Sequence, residues 1–506
     1  MTWETLVTTS PAFILSLPLL FAFLTTLSGR ISKKLAELMF GIGLILTVLF
    51  VGVMSYQVLT YESWFYAFGA GESTPDTFFR ITFLADGFAV LATITVVITA
   101  LAAAIYSYSF MKGETGLNKF YTLFLLTLAG VNGMILTADL FNLFVWFEVT
   151  SVASCALVAF RNYKGKSVEA ALKYMVLSTI GGLFILFSIA LLYGQYGVLN
   201  YTLLADSIKG TFIDKLALGL LTVVLAMKAS SVPMHMWAPD AYGEAPGSVT
   251  PFIAITSLGS LFVLFRLLFG VFSMTITPAV SGSVLIILGV LSMIVGVTMA
   301  LVQSDLKRLI AYLSVSQVGY MMMAVGVGLA TLNTGEYESF GSLAMRGGLF
   351  HMINDGVYKA LLFLSAVAVV HVTDIRSLNE LGGLAHKMPY TTFFFLFSAL
   401  SIAGIPPLSG YSSKLLIYQS VYLYSPILAI IALVVSIITL AIIGKAFFNA
   451  FLGPNQGLAK GKVSQPMLLS MGALTAVLLI FTLFPNLVVN EIVTPAIDAL
   501  IGGLIP

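Results

Sequence analysis

Long apolar runs separated by short polar stretches fill the chain from end to end. A helix needs about 20 mainly apolar residues to cross a bilayer, because lipid offers no partner to an open backbone group. On that template the pattern predicts about fourteen spans, at 11–28, 36–59, 81–110, 120–138, 139–160, 171–194, 215–237, 251–272, 284–304, 310–330, 343–370, 391–423, 427–452 and 467–489. The connections are short, so the expected fold is an all-α polytopic membrane protein without a separate soluble domain. The opening MTWETLVTTSPAF has no basic region and no small-residue cleavage site behind its first apolar run, which is expected to be a retained span.

Composition narrows the class. Of 506 residues 59% are hydrophobic and 9% charged, against about 25% charged in soluble proteins. With mean hydropathy +1.02, a water-soluble enzyme is excluded. A net charge of +2 spread over sparse charges also excludes a basic nucleic-acid binder. The one cysteine, Cys155, can form neither an intrachain disulfide nor a metal cluster.

Basic residues set the expected orientation, since Lys and Arg in short loops stay cytoplasmic. Loops after odd-numbered spans hold Arg30, Lys33, Lys34, Lys112, Lys119, Arg161, Lys164, Lys166, Lys307, Arg308, Arg376, Lys387, Lys460 and Lys462. The other side holds Arg80, Lys209, Lys215 and Arg346. Both termini are therefore expected outside, in a multi-pass protein of the cell (plasma) membrane.

An internal repeat is visible. DLFNLFVWFEVTSV from Asp139 aligns with DLKRLIAYLSVSQV from Asp305, and GGLF recurs at Gly181 and Gly347. Five spans separate the copies, an odd number that forces opposite topology, so spans 4–8 and 9–13 are expected to be inverted five-helix repeats. The expected division is 1–119 (a three-helix segment), 120–272 (first repeat), 284–452 (second repeat) and 467–506 (last helix and tail). Pro233 and the Pro406–Pro407 pair fall at equivalent places in spans 7 and 12, and proline removes a backbone donor. Each marks either a packing kink or a discontinuous helix lining a polar path, the reading favoured by their symmetry.

Charges inside the apolar runs carry the candidate chemistry. A charge at the bilayer centre costs about 3 kcal/mol on insertion scales, so such residues face a protein interior or water. Glu148 in span 5 and Lys228 in span 7 form either a static ion pair or a pair that separates and re-forms as protons move. His351, Asp355 and Lys359 in span 11 are spaced by four, on one helical face. They form either a relay, or an Asp355–Lys359 pair with His351 bonded to a backbone carbonyl. Lys414 follows the span-12 break by two turns and is read as a functional cation rather than a snorkelling one. His235, seven residues beyond Lys228, either extends the relay towards WAPDAYGEAP or caps the broken helix. Arg266 is expected to be an electrostatic or structural partner, and Lys173 and Lys445 to snorkel. The chain shows no P-loop, dinucleotide fingerprint, nucleophile elbow or cluster-binding cysteines, so no redox or nucleotide chemistry is expected within it.

TADLFNLFVWFEVTSVAS, MKASSVPMHMWAPDAYGEAP, SDLKRLIAYLSVSQVGYM, VYKALLFL and AGIPPLSGYSSK occur in this order. Together they resemble the antiporter-like subunits of respiratory complex I, Mrp cation/proton antiporters and membrane-bound hydrogenases. The first motif looks most like the Mrp D subunit and the H subunit of archaeal membrane-bound [NiFe] hydrogenases or related sulfur-reducing complexes. The resemblance implies fourteen helices and proton translocation through linked half-channels. It matches Glu148 and Lys228 to the family's Glu–Lys pair, Lys414 to its span-12 ionisable residue, and His351 and Lys359 to relay positions. Two departures stand out. Asp355 replaces a histidine common in complex I, and span 8, ITSLGSLFVLFRLL, lacks the usual central lysine. Passage there falls to water, to His351 and Asp355, or to serines near Ser257 and Ser260.

The resemblance further implies no cofactor in this chain, with iron–sulfur clusters and a NiFe centre in partner subunits. Implied partners are another antiporter-like subunit, small Mrp-like subunits and a peripheral redox module, with protons and Na+ as the ions. The leading function expected is a proton-translocating subunit of a redox-driven ion pump. The alternatives are a subunit of an Mrp-type Na+/H+ antiporter, a translocation-inactive scaffold and, more remotely, a solute carrier.

Overall fold

The computed structural model describes residues 3–61, 63–68, 71–72, 81–273, 277–454 and 461–502. Arg80 and Lys460, used above for orientation, lie outside the described residues.

The chain opens with α1 (Trp3–Thr8), α2 (Ser10–Ser28) and α3 (Lys33–Thr60). A small antiparallel sheet follows, β1 (Trp64–Ala67), β2 (Gly71–Glu72) and β3 (Thr82–Ala85), in the order β2-β1-β3. Span 3 was expected from residue 81. The structure starts its helix, α4 (Gly87–Phe110), at an Asp86 N-cap, and gives 82–85 to the sheet. The alternating β-branched and aromatic residues of ITFLA suit a strand, and hydrophobicity alone did not separate the two.

Next come α5 (Leu117–Leu136), α6 (Leu140–Val158), α7 (Gly165–Tyr196), the short α8 (Tyr201–Ser207), α9 (Phe212–Lys228), α10 (Trp237–Glu244) and α11 (Thr250–Arg266). The second half runs through α12 (Pro278–Leu301), α13 (Leu306–Thr331), α14 (Ser342–Thr373), α15 (Pro389–Ala403), α16 (Ser409–Tyr424) and α17 (Pro426–Phe447). It closes with α18 (Gln465–Leu483), α19 (Pro485–Val488) and α20 (Thr494–Ile501).

Twelve helices among the described residues are long and apolar enough to cross a membrane. The other two expected spans, 7 and 12, are the split pairs α9/α10 and α15/α16. Within the tail expected after the last span, the structure forms α19 and α20. There the Pro495 backbone packs so closely on Gly87 that a Cβ would lie 2.6 Å from its carbonyl oxygen.

Small residues set the closest helix contact. Gly282, Gly289 and Gly296 on α12, spaced by seven, lie against Gly326, Gly319 and Ser316 on α13, where an added Cβ would fall 2.5–2.7 Å from backbone atoms. Close approach of this kind drives packing where lipid supplies no hydrophobic force.

The motif alignment has a backbone counterpart. Asp139 caps α6 and Asp305 caps α13 with their side chains. Leu140 N–H donates to the Leu199 carbonyl and Leu306 N–H to that of Arg376; in return Tyr201 N–H donates to Ala138 and Leu378 N–H to Ser304. The two junctions sit at opposite ends of the bundle. The first joins the sheet through Ala138 N–H to the Thr82 carbonyl. The second shares a cleft with Arg161, which follows the far end of α6.

Candidate proton path

Both split spans break in the same way. In span 7 Ser231 N–H donates to the Ala226 carbonyl and Ser230 N–H to that of Met227. In span 12 Ile405 N–H donates to Leu400 and Gly404 N–H to Ser401. This is the crossed pattern of a left-handed helix C-cap, and Ser230 and Gly404 have φ of +61° and +76°. The register sets Pro233 opposite Pro407, Lys228 opposite Ile402, and Lys414 opposite Asp240. The discontinuous reading of both prolines holds.

Lys228 is fully buried at the end of α9. Its ammonium donates to Ser151 Oγ at 2.9 Å and Ser178 Oγ at 3.1 Å, and lies 4.3 Å from the centre of the Tyr174 ring. Two hydroxyls and an aromatic face offset its desolvation, with no carboxylate in ion-pair contact among the described residues. Glu148 is half-buried on the side of α6 that exposes Phe141, Val145 and Val152. Its carboxyl presses on Gly182 of α7, where a Cβ would sit 1.9 Å from Oε1. The ion pairs made by the described residues do not include Glu148 with Lys228. The structure thus holds the two apart.

In α14 Asp355 and Lys359 form an ion pair within the buried interior. His351 is also fully buried, yet it bonds side chains rather than a backbone carbonyl: Nδ1 meets Ser413 Oγ at 3.0 Å, and Nε2 meets Gln317 Oε1 at 3.2 Å and Tyr358 Oη at 3.3 Å. Tyr358 also neighbours the Asp355 carboxylate. The one-face spacing therefore does not yield a His351–Asp355 contact; Tyr358 stands between them. Lys414, fully buried, donates to the Ile402 carbonyl at 2.8 Å and to Ser436 Oγ at 3.3 Å, with Tyr320 4.6 Å away as a π-face. It does not snorkel.

His235 stays apart from this line. Its ring packs edge-on to Tyr312 at 6.3 Å and Nδ1 has no partner, while its carbonyl accepts from Ala238 N–H. The N-cap of α10 is Met236, and the His235 imidazole makes no capping bond to it. Arg266 makes the expected buried partnership, a two-pronged pair with Asp86 at 2.6 and 2.7 Å. Lys445 is exposed, as expected. Lys173 pairs with Glu169 at 2.7 Å and Asp240 at 3.0 Å instead of snorkelling, because α10 folds back beside α7.

Sequence reasoning missed Tyr174, Tyr242, Tyr320, Tyr358 and Gln317. Gln317 was the most legible, an amide inside the otherwise apolar centre of α13. Tyr358 lies seven residues beyond His351 and so shares its face. The tyrosines in general were hidden because an aromatic in a span reads as ordinary packing.

At the end of the bundle that carries Arg161, Lys164, Lys307 and Arg376, α10 borders two clefts of about 360 and 620 Å3. The segment WAPDAYGEAP thus stands between bulk water and the buried line. Among the described residues no group of three or more His, Cys, Asp or Glu side chains could hold a metal ion.

Residues 137–439 match the family described as NADH:quinone oxidoreductase/Mrp antiporter, TM. The chain belongs to this family. It is 32% identical over 422 residues to the D subunit of a Na(+)/H(+) antiporter from Alkalihalophilus pseudofirmus, covering 81% of this chain and 80% of that one. Its fold matches a chain of the membrane-bound sulfane sulfur reductase, an archaeal respiratory membrane complex, with TM-score 0.86, 27% identity and 97% coverage of both chains. A chain of respiratory complex I from Thermus thermophilus matches with TM-score 0.73 at 26% identity, covering 94% of this chain and 98% of that one. The chain is an antiporter-like, multi-pass membrane subunit of the complex I, Mrp and sulfane-reductase type.

Proposed function

We propose that this chain translocates protons as one subunit of a multi-subunit, redox-driven ion pump. The observation that carries this reading is the line of buried ionisable groups from Lys228 through Asp355–Lys359 and His351 to Lys414, which reaches both split spans. Such groups are costly in a bilayer and earn no packing advantage over apolar ones. Glu148 and Lys228 act as a pair whose separation lowers the proton affinity of the lysine and whose approach raises it. Asp355, Lys359, His351 and Lys414 continue the path, and His235 serves the water-facing side of the span-7 break.

In this reading the chain divides as 1–119, 120–272, 284–452 and 467–506, with the middle two segments as inverted repeats, and both termini face outward. It holds no cofactor. Iron–sulfur clusters and a NiFe centre belong to partner subunits, beside another antiporter-like subunit and small Mrp-like subunits.

The test is proton uptake by the assembled complex in sealed vesicles. Glu148→Gln and Lys228→Ala are each expected to abolish it while the subunits still co-purify; unchanged uptake in both overturns the mechanism. The identity to a Na+/H+ antiporter component favours a second reading, in which this chain is part of a Na+/H+ exchanger. Mass spectrometry of co-purifying chains separates the two: iron–sulfur subunits support the pump, and only small cation-antiporter subunits support the exchanger. Lys414→Ala with full activity would leave a scaffold role.

A further inference from the structure

The buried ionisable groups fall into two clusters, Glu148 and Lys228 in one half, and Asp355, Lys359, His351 and Lys414 in the other. Helix α11 packs against both α9 and α14, yet its one charged residue, Arg266, sits at its far end and is held by Asp86. Between the clusters the structure places two hydroxyls. Tyr242 Oη on α10 and Ser257 Oγ on α11 are 2.5 Å apart, with their residues 1% and 2% exposed. On the α9 side, Tyr242 packs edge-on to Trp237, whose Nε1–H donates to the Met227 carbonyl next to Lys228 at 3.0 Å. On the α14 side, Ile255 and Leu258 of α11 approach Gly356, next to Asp355. The hydroxyl pair therefore lies between the element that ends in Lys228 and the one that carries Asp355.

We propose that the Tyr242–Ser257 pair carries protons between the two clusters, doing without charge what a cation on span 8 would do with one. This rests on the translocation reading above. A proton leaving the Lys228 ammonium reaches a lone pair of the Tyr242 oxygen through water. The phenol proton passes to the Ser257 oxygen, and the serine proton leaves through water to the Asp355 carboxylate. Lys228 is left neutral, Asp355 is protonated, and both hydroxyls are unchanged in charge. They must then rotate back before the next transfer, so the pair passes one proton at a time. A neutral relay also avoids the cost of a further unpaired charge in the bilayer.

The test uses the assembled complex in vesicles, reading proton uptake against the rate of the driving reaction in H2O and D2O. Tyr242→Phe and Ser257→Ala are each expected to cut uptake on the order of a hundredfold, with the double variant no worse than either single one. Ser257→Thr, which keeps the hydroxyl, retains uptake. Ser283→Ala, which removes an exposed hydroxyl bonded to the Ala279 carbonyl of its own helix, leaves uptake and its isotope effect unchanged. Should Tyr242→Phe fail to assemble, Ser257→Ala decides, since it removes one oxygen and adds no bulk. Full uptake in Ser257→Ala while Glu148→Gln abolishes it overturns the relay alone. Full uptake in both overturns the translocation reading with it.

Discussion

The ammonium of Lys414 lies 2.8 Å from the carbonyl oxygen of Ile402, the carbonyl four residues before Pro406 and so the one that proline cannot serve. The next carbonyl, Ala403, stands in the same relation to Pro407 and accepts from Ser436 Oγ at 2.9 Å. Two prolines release two acceptors, and a lysine and a serine take them. The cation of span 12 is thus part of the break itself.

Replacing Lys414 therefore has two consequences. Lys414→Met keeps most of the bulk but leaves the Ile402 carbonyl unpaired, at a cost of about 1–3 kcal/mol. Proton uptake is expected to be lost and the detergent melting temperature to fall. Lost uptake with an unchanged melting temperature would mean that the lysine only conducts.

Gly182→Ala should separate position from charge. The added methyl would meet Glu148 Oε1 at 1.9 Å, and the carboxyl, at the end of a flexible side chain, can move aside. Uptake is expected to fall several-fold with stability within about 0.5 kcal/mol of the parent. A parent-like rate would show that the placement of Glu148 against α7 does not matter.

The Arg266–Asp86 pair is expected to be structural. Arg266→Met strands a buried carboxylate, costing about 3–5 kcal/mol, and should lower the yield of folded chain in a detergent-stability assay. The double variant Asp86→Leu/Arg266→Met should regain part of that loss. No recovery would point to the Asp86 cap on α4 as the larger share.

Gln317 fixes the His351 imidazole through Nε2. Gln317→Leu removes that partner and is expected to slow uptake roughly tenfold or more, as loss of an orienting hydrogen bond does. His351→Gln tests whether a side chain that only bonds can substitute. Equal rates in both variants and the parent would remove His351 from the path.

The span pattern, the breaks and the buried ionisable residues were legible because each departs sharply from an apolar background. A lysine deep in a bilayer has few harmless explanations. What stayed hidden was pairing. The separation of Glu148 from Lys228, the insertion of Tyr358 beside His351, and the meeting of Tyr242 with Ser257 all depend on helix rotation, which a run of apolar residues does not specify. The sheet was hidden for a related reason, since TFLA at 82–85 is as apolar as a span. Lys173 was misread because its partner, Asp240, is brought back only by the fold of α10.

The shared register of the two breaks has one more consequence. The helices before them end in the same turn, but the cation precedes the break at Lys228 and follows it at Lys414, where the counterpart is Asp240. One turn, used twice, thus presents a buried cation before one gap and beyond the other.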